Sequence, residues 1–82
     1  STNANYTFSV LYYYKVSSIK VESKTYDQTF NYEHELISES NKSSLENANR
    51  RIWNINIEPN SETILKFDVK ISEPTHKITP LK

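Results

Sequence analysis

From Arg51 to Ile71 the chain alternates apolar and polar residues with a period of two: Trp53, Ile55 and Ile57, then Leu65, Phe67, Val69 and Ile71. On an extended backbone successive side chains point to opposite faces, so each run has one dry face and one wet face. That pattern commits the stretch to β structure. Glu58-Pro59-Asn60-Ser61 punctuates the two runs, and together they read as a β-hairpin. Both dry sets share a face only if odd-numbered residues pair with odd-numbered ones, so a tight two-residue turn is excluded. A longer loop centred on Ser61 satisfies the condition and opposes Ile57 to Leu65, Ile55 to Phe67 and Trp53 to Val69. Pro59 and Asn60 suit the middle of a type I turn within that loop.

The same alternation organises the rest of the chain. Tyr6, Phe8, Val10, Tyr12 and Tyr14 occupy even positions among polar neighbours, which predicts a first strand after a loose start at 1–4. Leu11 and Tyr13 make its odd face apolar as well, so this strand is dry on one side where it begins and on both sides where it ends. Parity slips between Val16 and the pair Ile19 and Val21, which predicts a turn or bulge at Ser17-Ser18 and a short second strand over about 18–23. Tyr26, Phe30, Tyr32, His34 and Leu36 share even parity and predict a third strand over about 25–37, bent or interrupted. Residues 38–50 lack alternation and read as a polar crossing, with Ser43-Ser44-Leu45-Glu46 able to cap one helical turn. Pro74 ends the last strand and leaves 75–82 as a tail. The expected fold is all-β: a small antiparallel β-sandwich or a partly open barrel of five to six strands, in one domain over 1–82.

Composition narrows the function. Leu, Ile, Val and Phe number 20 of 82, enough for a folded but thin core. Ten basic and ten acidic side chains leave no net charge, and Lys15, Lys20 and Lys24 are dispersed. No nucleic-acid partner is expected, because phosphate binding calls for a basic stripe. No apolar run approaches the roughly 18 residues that membrane insertion requires. Without Cys there is no disulfide framework or thiolate chemistry, and without Gly there is no phosphate loop or dinucleotide fingerprint. No cofactor is expected. The chain does not start with Met and shows no signal peptide, so it reads as part of a longer polypeptide. The sequons Asn5-Tyr6-Thr7 and Asn41-Lys42-Ser43 suit an exported, extracellular or cell-surface protein.

Few residue clusters point to chemistry. Glu33-His34-Glu35 resembles a metal or acid–base set as text, but on a strand the two carboxylates point away from the imidazole. Serine is abundant, yet the glycines of a nucleophile elbow are missing, so the chain is not expected to be an enzyme. Within Tyr12-Tyr13-Tyr14 the bland reading is two core rings and one partly exposed ring. The functional reading makes Leu11 and Tyr13 an outward apolar patch for a protein partner, a neighbouring domain or a sugar ring. Arg50 and Arg51 beside Trp53 read either as a solvated edge or as a carboxylate-binding corner. Leu11, Tyr13, Arg50 and Arg51 are therefore the candidate interaction residues. The expected role is a non-enzymatic structural module working through protein contacts, with self-association open to it. The alternatives are a carbohydrate-binding module using exposed tyrosines and a small inhibitor presenting 38–50 as a loop.

The segment Trp53-x-Ile55-x-Ile57-x-Pro59-Asn60-Ser61-Glu62-x-x-Leu65-x-Phe67-x-Val69-x-Ile71 resembles the closing hairpin of immunoglobulin-like modules in bacterial surface and secreted proteins. It is also similar to the final strands of mucoidy-inhibitor-like β domains, where a proline closes the last strand as Pro74 does here. Asn60 stands where the family turn usually has Gly, and residues 1–45 carry no such likeness. The resemblance implies a building-block or binding module and brings no catalytic residue with it.

Overall fold

A computed structural model of the protein describes residues 3–75. Six strands follow one another: β1 (Asn3–Lys15), β2 (Glu22–Thr29), β3 (Glu33–Glu39), β4 (Ser43–Asn47), β5 (Arg50–Ile57) and β6 (Glu62–Pro74). They form two three-stranded antiparallel sheets, ordered β1-β6-β3 and β2-β5-β4, and no closed barrel exists among the described residues. The most regularly alternating strands, β5 and β6, each lie at the centre of a sheet. Their seven dry-face residues, from Trp53 to Ile71, are all buried in one core with Val16 and Phe30.

The shared interior expected for these two runs is therefore present, but the hairpin is not. Tyr26 of β2 faces Trp53 of β5, and Val10 of β1 faces Phe67 of β6, so both backbone edges of each central strand are already paired with other strands. The chain passes from β5 to β6 by arching between sheets. Trp53 meets Phe67 face to face across the core, with ring centroids 4.0 Å apart, rather than lying beside Val69 in a ladder. An arch and a wide hairpin both turn the two dry faces inward, and alternation alone does not separate them. The arch wins because it gives the most apolar strands a neighbour on each side, where burial is greatest. The turn also differs from the expected type I form. Asn60 has φ 50°, whereas the third position of a type I turn sits at about −90°.

Further expectations are corrected in the same way. Ile19 and Val21 are exposed and belong to the β1–β2 connection, so the second strand starts only at Glu22. The long even-parity run is interrupted at 30–32, where the chain changes sheet between β2 and β3. Residues 38–50 are not a loop or a helical turn: they hold the end of β3, all of β4 and a two-residue turn at Ala48-Asn49. This β4–β5 link is the one hairpin among the described residues, closed by the Asn49 N–H donating to Asn47 Oδ1 at 2.8 Å. β4 escaped notice because its residues are mostly wet on both sides, which erases the alternation. Asn3 and Ala4, expected to be loose, open β1, while residues 76–82 of the expected tail lie outside the described part.

Connections close the two ends of the core. Val16 is buried beyond β1, and its N–H donates to Ser61 O at 2.9 Å. The Asn60 N–H donates to Ser18 O at 3.0 Å, tying the arch to the β1–β2 connection. At the other end Phe30 is buried edge-on against Phe8 and donates its N–H to Asn49 O at 2.7 Å. Trp53 Nε1 donates to Glu39 Oε1 at 3.0 Å, and the same oxygen accepts the Ser43 N–H at 2.9 Å. Glu39 thus satisfies a buried indole and fixes the β3–β4 crossing together.

Candidate interaction surface

Along β1 the odd residues point away from the core. Thr7 and Ser9 are followed by Leu11 and Tyr13, and Leu11 leaves 65% of its surface in water. Tyr13 pairs with Ile64 of β6, which is also exposed, so three apolar side chains stand together on the outer face of sheet β1-β6-β3. Ile64 was not singled out from the sequence, although its even position among the odd dry residues of β6 was the available signal. A hydrogen bond to the Glu62 carboxylate raises the Tyr13 hydroxyl pKa above 10.0, with lost hydration and the carboxylate charge adding to it. Further along this face Asp68 accepts from Ser9 on one side and from Ser38, at 2.8 Å, on the other. Those two hydroxyls hold its carboxyl below the usual 3.8 and stitch all three strands.

β1 is also an edge. Its thirteen residues pair with β6 in one unbroken register, and its other side has no strand neighbour among the described residues. The remaining edges are guarded. β3 carries Glu33, Glu35 and Glu39 and a bulge between Leu36 and Ser38, and β4 has five residues and a bulge between Leu45 and Asn47. β2 bears the charged residues Glu22, Lys24 and Asp27. Charge, brevity and bulges are the usual devices against unwanted strand pairing, and between Asn3 and Tyr14 β1 has none of them.

The two arginines do not join this surface. Being adjacent on a strand, they point to opposite faces of β5. Arg50 lies on the outer face of the other sheet, where its guanidinium grips Asp27 through Nε–Oδ1 at 2.9 Å and a second bond from Nη2 to Oδ2. This pairing holds the Asp27 carboxyl below 3.8. Arg51 turns inward, donating from Nε to His34 Nε2 at 2.9 Å and from Nη1 to Ser43 Oγ at 3.0 Å. Both arginines are thus engaged in ties within the domain, while Leu11 and Tyr13 remain open.

His34 stacks on Phe30 with centroids 4.2 Å apart, and Glu33 and Glu35 point to the other side of β3 as strand geometry requires. No group of three or more potential ligands is positioned for a metal ion among the described residues. At the same end of the molecule a shallow cleft of about 140 Å³ opens among Tyr6, Phe8, Gln28, Phe30, Asn31 and Tyr32. Tyr6 and Tyr32 are partly exposed, and no carboxylate, imidazole, amine or guanidinium lines the cleft. No helix among the described residues is long and apolar enough to cross a membrane.

No protein-family model, curated protein or solved structure matches this chain.

Proposed function

We propose that this chain is a non-enzymatic protein-interaction module that takes up an extended partner strand along β1, with Leu11, Tyr13 and Ile64 gripping the partner's side chains. One observation carries this reading: a thirteen-residue, bulge-free edge lies beside the exposed apolar side chains of one outer face. Strand addition draws its affinity from main-chain hydrogen bonds and its selectivity from alternate side chains, and β1 offers both. The two facing sheets serve as the scaffold, read as a small β-sandwich. The immunoglobulin-like likeness now rests on the alternation of β5 and β6 alone, since those strands are not paired with each other. An exported or cell-surface setting belongs to the same reading, supported by that likeness.

Selection of binders from a displayed peptide library tests it. Selected peptides are expected to alternate apolar and polar residues, to slow hydrogen exchange at β1 amides, and to lose binding at least about tenfold to a Tyr13→Glu variant. Peptides that bind equally well to that variant and leave β1 exchange unchanged would remove the proposal.

The cleft favours a second reading. Partly exposed Tyr6 and Tyr32, together with the Asn31 side chain, suit an uncharged sugar ring: aromatic faces take its C–H groups and an amide takes its hydroxyls. Titration with neutral monosaccharides and short glycans should shift the ring resonances of Tyr6 and Tyr32, and Tyr32→Ala should abolish the effect. Silence across the panel at millimolar concentration excludes this reading.

A further inference from the structure

Resting on the assignment of β1 as the docking edge, we propose that the strand added there is β1 of a second copy, paired antiparallel about a two-fold axis at Ser9. Ser9 is the midpoint of Asn3–Lys15, so this register overlaps the whole strand. It keeps paired residues at equal parity, which puts core-facing side chains opposite core-facing ones and outward opposite outward.

Three observations favour a second copy as the occupant. First, Lys15 is the one charged residue of β1, and in this register it faces Asn3 of the other copy, so self-pairing brings no like charges together on the strand. Nearby charges are also tolerated. The two copies of Asp68 would lie three strand spacings apart, about 14 Å, beyond the roughly 10 Å over which salt leaves surface charges coupled. Second, Tyr6 and Tyr12 lie on the core-facing side of β1, yet each is nearly half exposed, at 46% and 47%. The two-fold pairs Tyr6 of one copy with Tyr12 of the other, twice, so four half-wet rings become two cross-strand aromatic contacts. Third, on the outer face Thr7 meets Leu11 and Asn5 meets Tyr13, so the most exposed apolar side chains of β1 each gain a small neighbour. The product is a continuous six-stranded sheet, β3-β6-β1 joined to its rotated copy.

The chain contains no Cys, so single introduced thiols report the register without background. Directly opposed residues of an antiparallel pair lie about 4.5–5.5 Å apart at Cα, within disulfide range. The full chain is oxidised as Ser9→Cys alone, as Thr7→Cys alone, as Leu11→Cys alone, and as an equal mixture of the last two. Ser9→Cys is expected to cross-link to itself. The Thr7→Cys and Leu11→Cys mixture should yield the mixed disulfide at least about fivefold over either self-linked product, because like positions are offset by four residues, about 13 Å. Light scattering on the unmodified chain should show a mass rising from one copy toward two with concentration, with the Trp53 near-ultraviolet signal of each variant reporting an intact core.

A statistical mixture of disulfides, or a mass of one copy at every concentration, overturns the two-fold pairing. If displayed peptides still add to β1 under those conditions, only the identity of the occupant falls. If they do not, the edge itself is not a docking site.

Discussion

His34 is held by two different forces, and they set its protonation. An arginine only donates, so His34 Nε2 must accept from Arg51, and the ring proton sits on Nδ1. That nitrogen is buried without a hydrogen-bond partner. Burial first, and the Arg51 charge second, lower the imidazole pKa below 6.5. Phe30 stacks on the ring, Ile71 lies opposite it on β6, and the carboxylates of Glu33 and Glu35 are on the far face, so Arg51 is the charge that meets it. Protonation would break the Arg51 bond and bring two cations together. The unfolded chain therefore takes up this proton before the folded one does as pH falls. The stability tied to neutral His34 is complete above 6.5 and is lost as pH drops from there through the folded-state pKa. Asp27 and Asp68, both held below 3.8, lose their contributions only in stronger acid. Urea midpoints measured over the mildly acidic range should fall for the native chain and stay nearly level for His34→Gln, which keeps an acceptor but does not titrate. Parallel curves for the two proteins would show that His34 does not carry the effect.

Among the connecting elements the β5–β6 arch depends most on a single backbone angle. Asn60 at φ 50° occupies the left-handed region, which asparagine enters more readily than most residues but glycine enters freely. Asn60→Gly should leave stability unchanged or slightly higher. Asn60→Val should cost about 1–2 kcal/mol, read as a lowered urea midpoint at constant slope. Equal midpoints for the two variants would mean that the arch relaxes freely. The same arch shows which part of the fold was legible. Alternation identifies the buried face of a strand, and Trp53 through Ile71 point as their spacing requires. It does not say which strand lies alongside, because a neighbour in the sheet and a neighbour across the core bury the same face. β4 was hidden for a different reason: an edge strand wet on both sides, as at Ser44, Glu46 and Asn47, has no period to detect. The even run from Tyr26 to Leu36 hid a change of sheet, since Phe30 keeps its parity while the backbone crosses. Leu11 and Tyr13 could be read as outward apolar residues because they break a polar face. The guarded state of the other three edges, which singles out β1, emerges only from the strand order.

At the scale of the whole molecule, the strand order makes most of the pairing non-local. β4 and β5 join through neighbours such as Asn47 and Arg50, and β2 reaches β5 in pairs such as Thr25 with Asn54. The first sheet spans far more chain: Asn3 pairs with Pro74 and Phe8 with Val69. Closing longer loops costs more conformational entropy, and β structure built from distant pairs folds in milliseconds to seconds rather than microseconds. The sheet β2-β5-β4 should therefore organise first, and β6 should dock between β1 and β3 later. Two matched truncations separate these events, each removing one buried methyl group and costing about 1 kcal/mol. Ile55→Val lies in the early sheet and should mainly slow refolding, whereas Ile71→Val lies in the late sheet and should mainly speed unfolding. Stopped-flow chevrons of both variants against the native chain provide the measurement. The reverse assignment, with Ile71→Val slowing refolding and leaving unfolding untouched, would mean that the two ends of the chain meet before the local hairpin has any sheet to join.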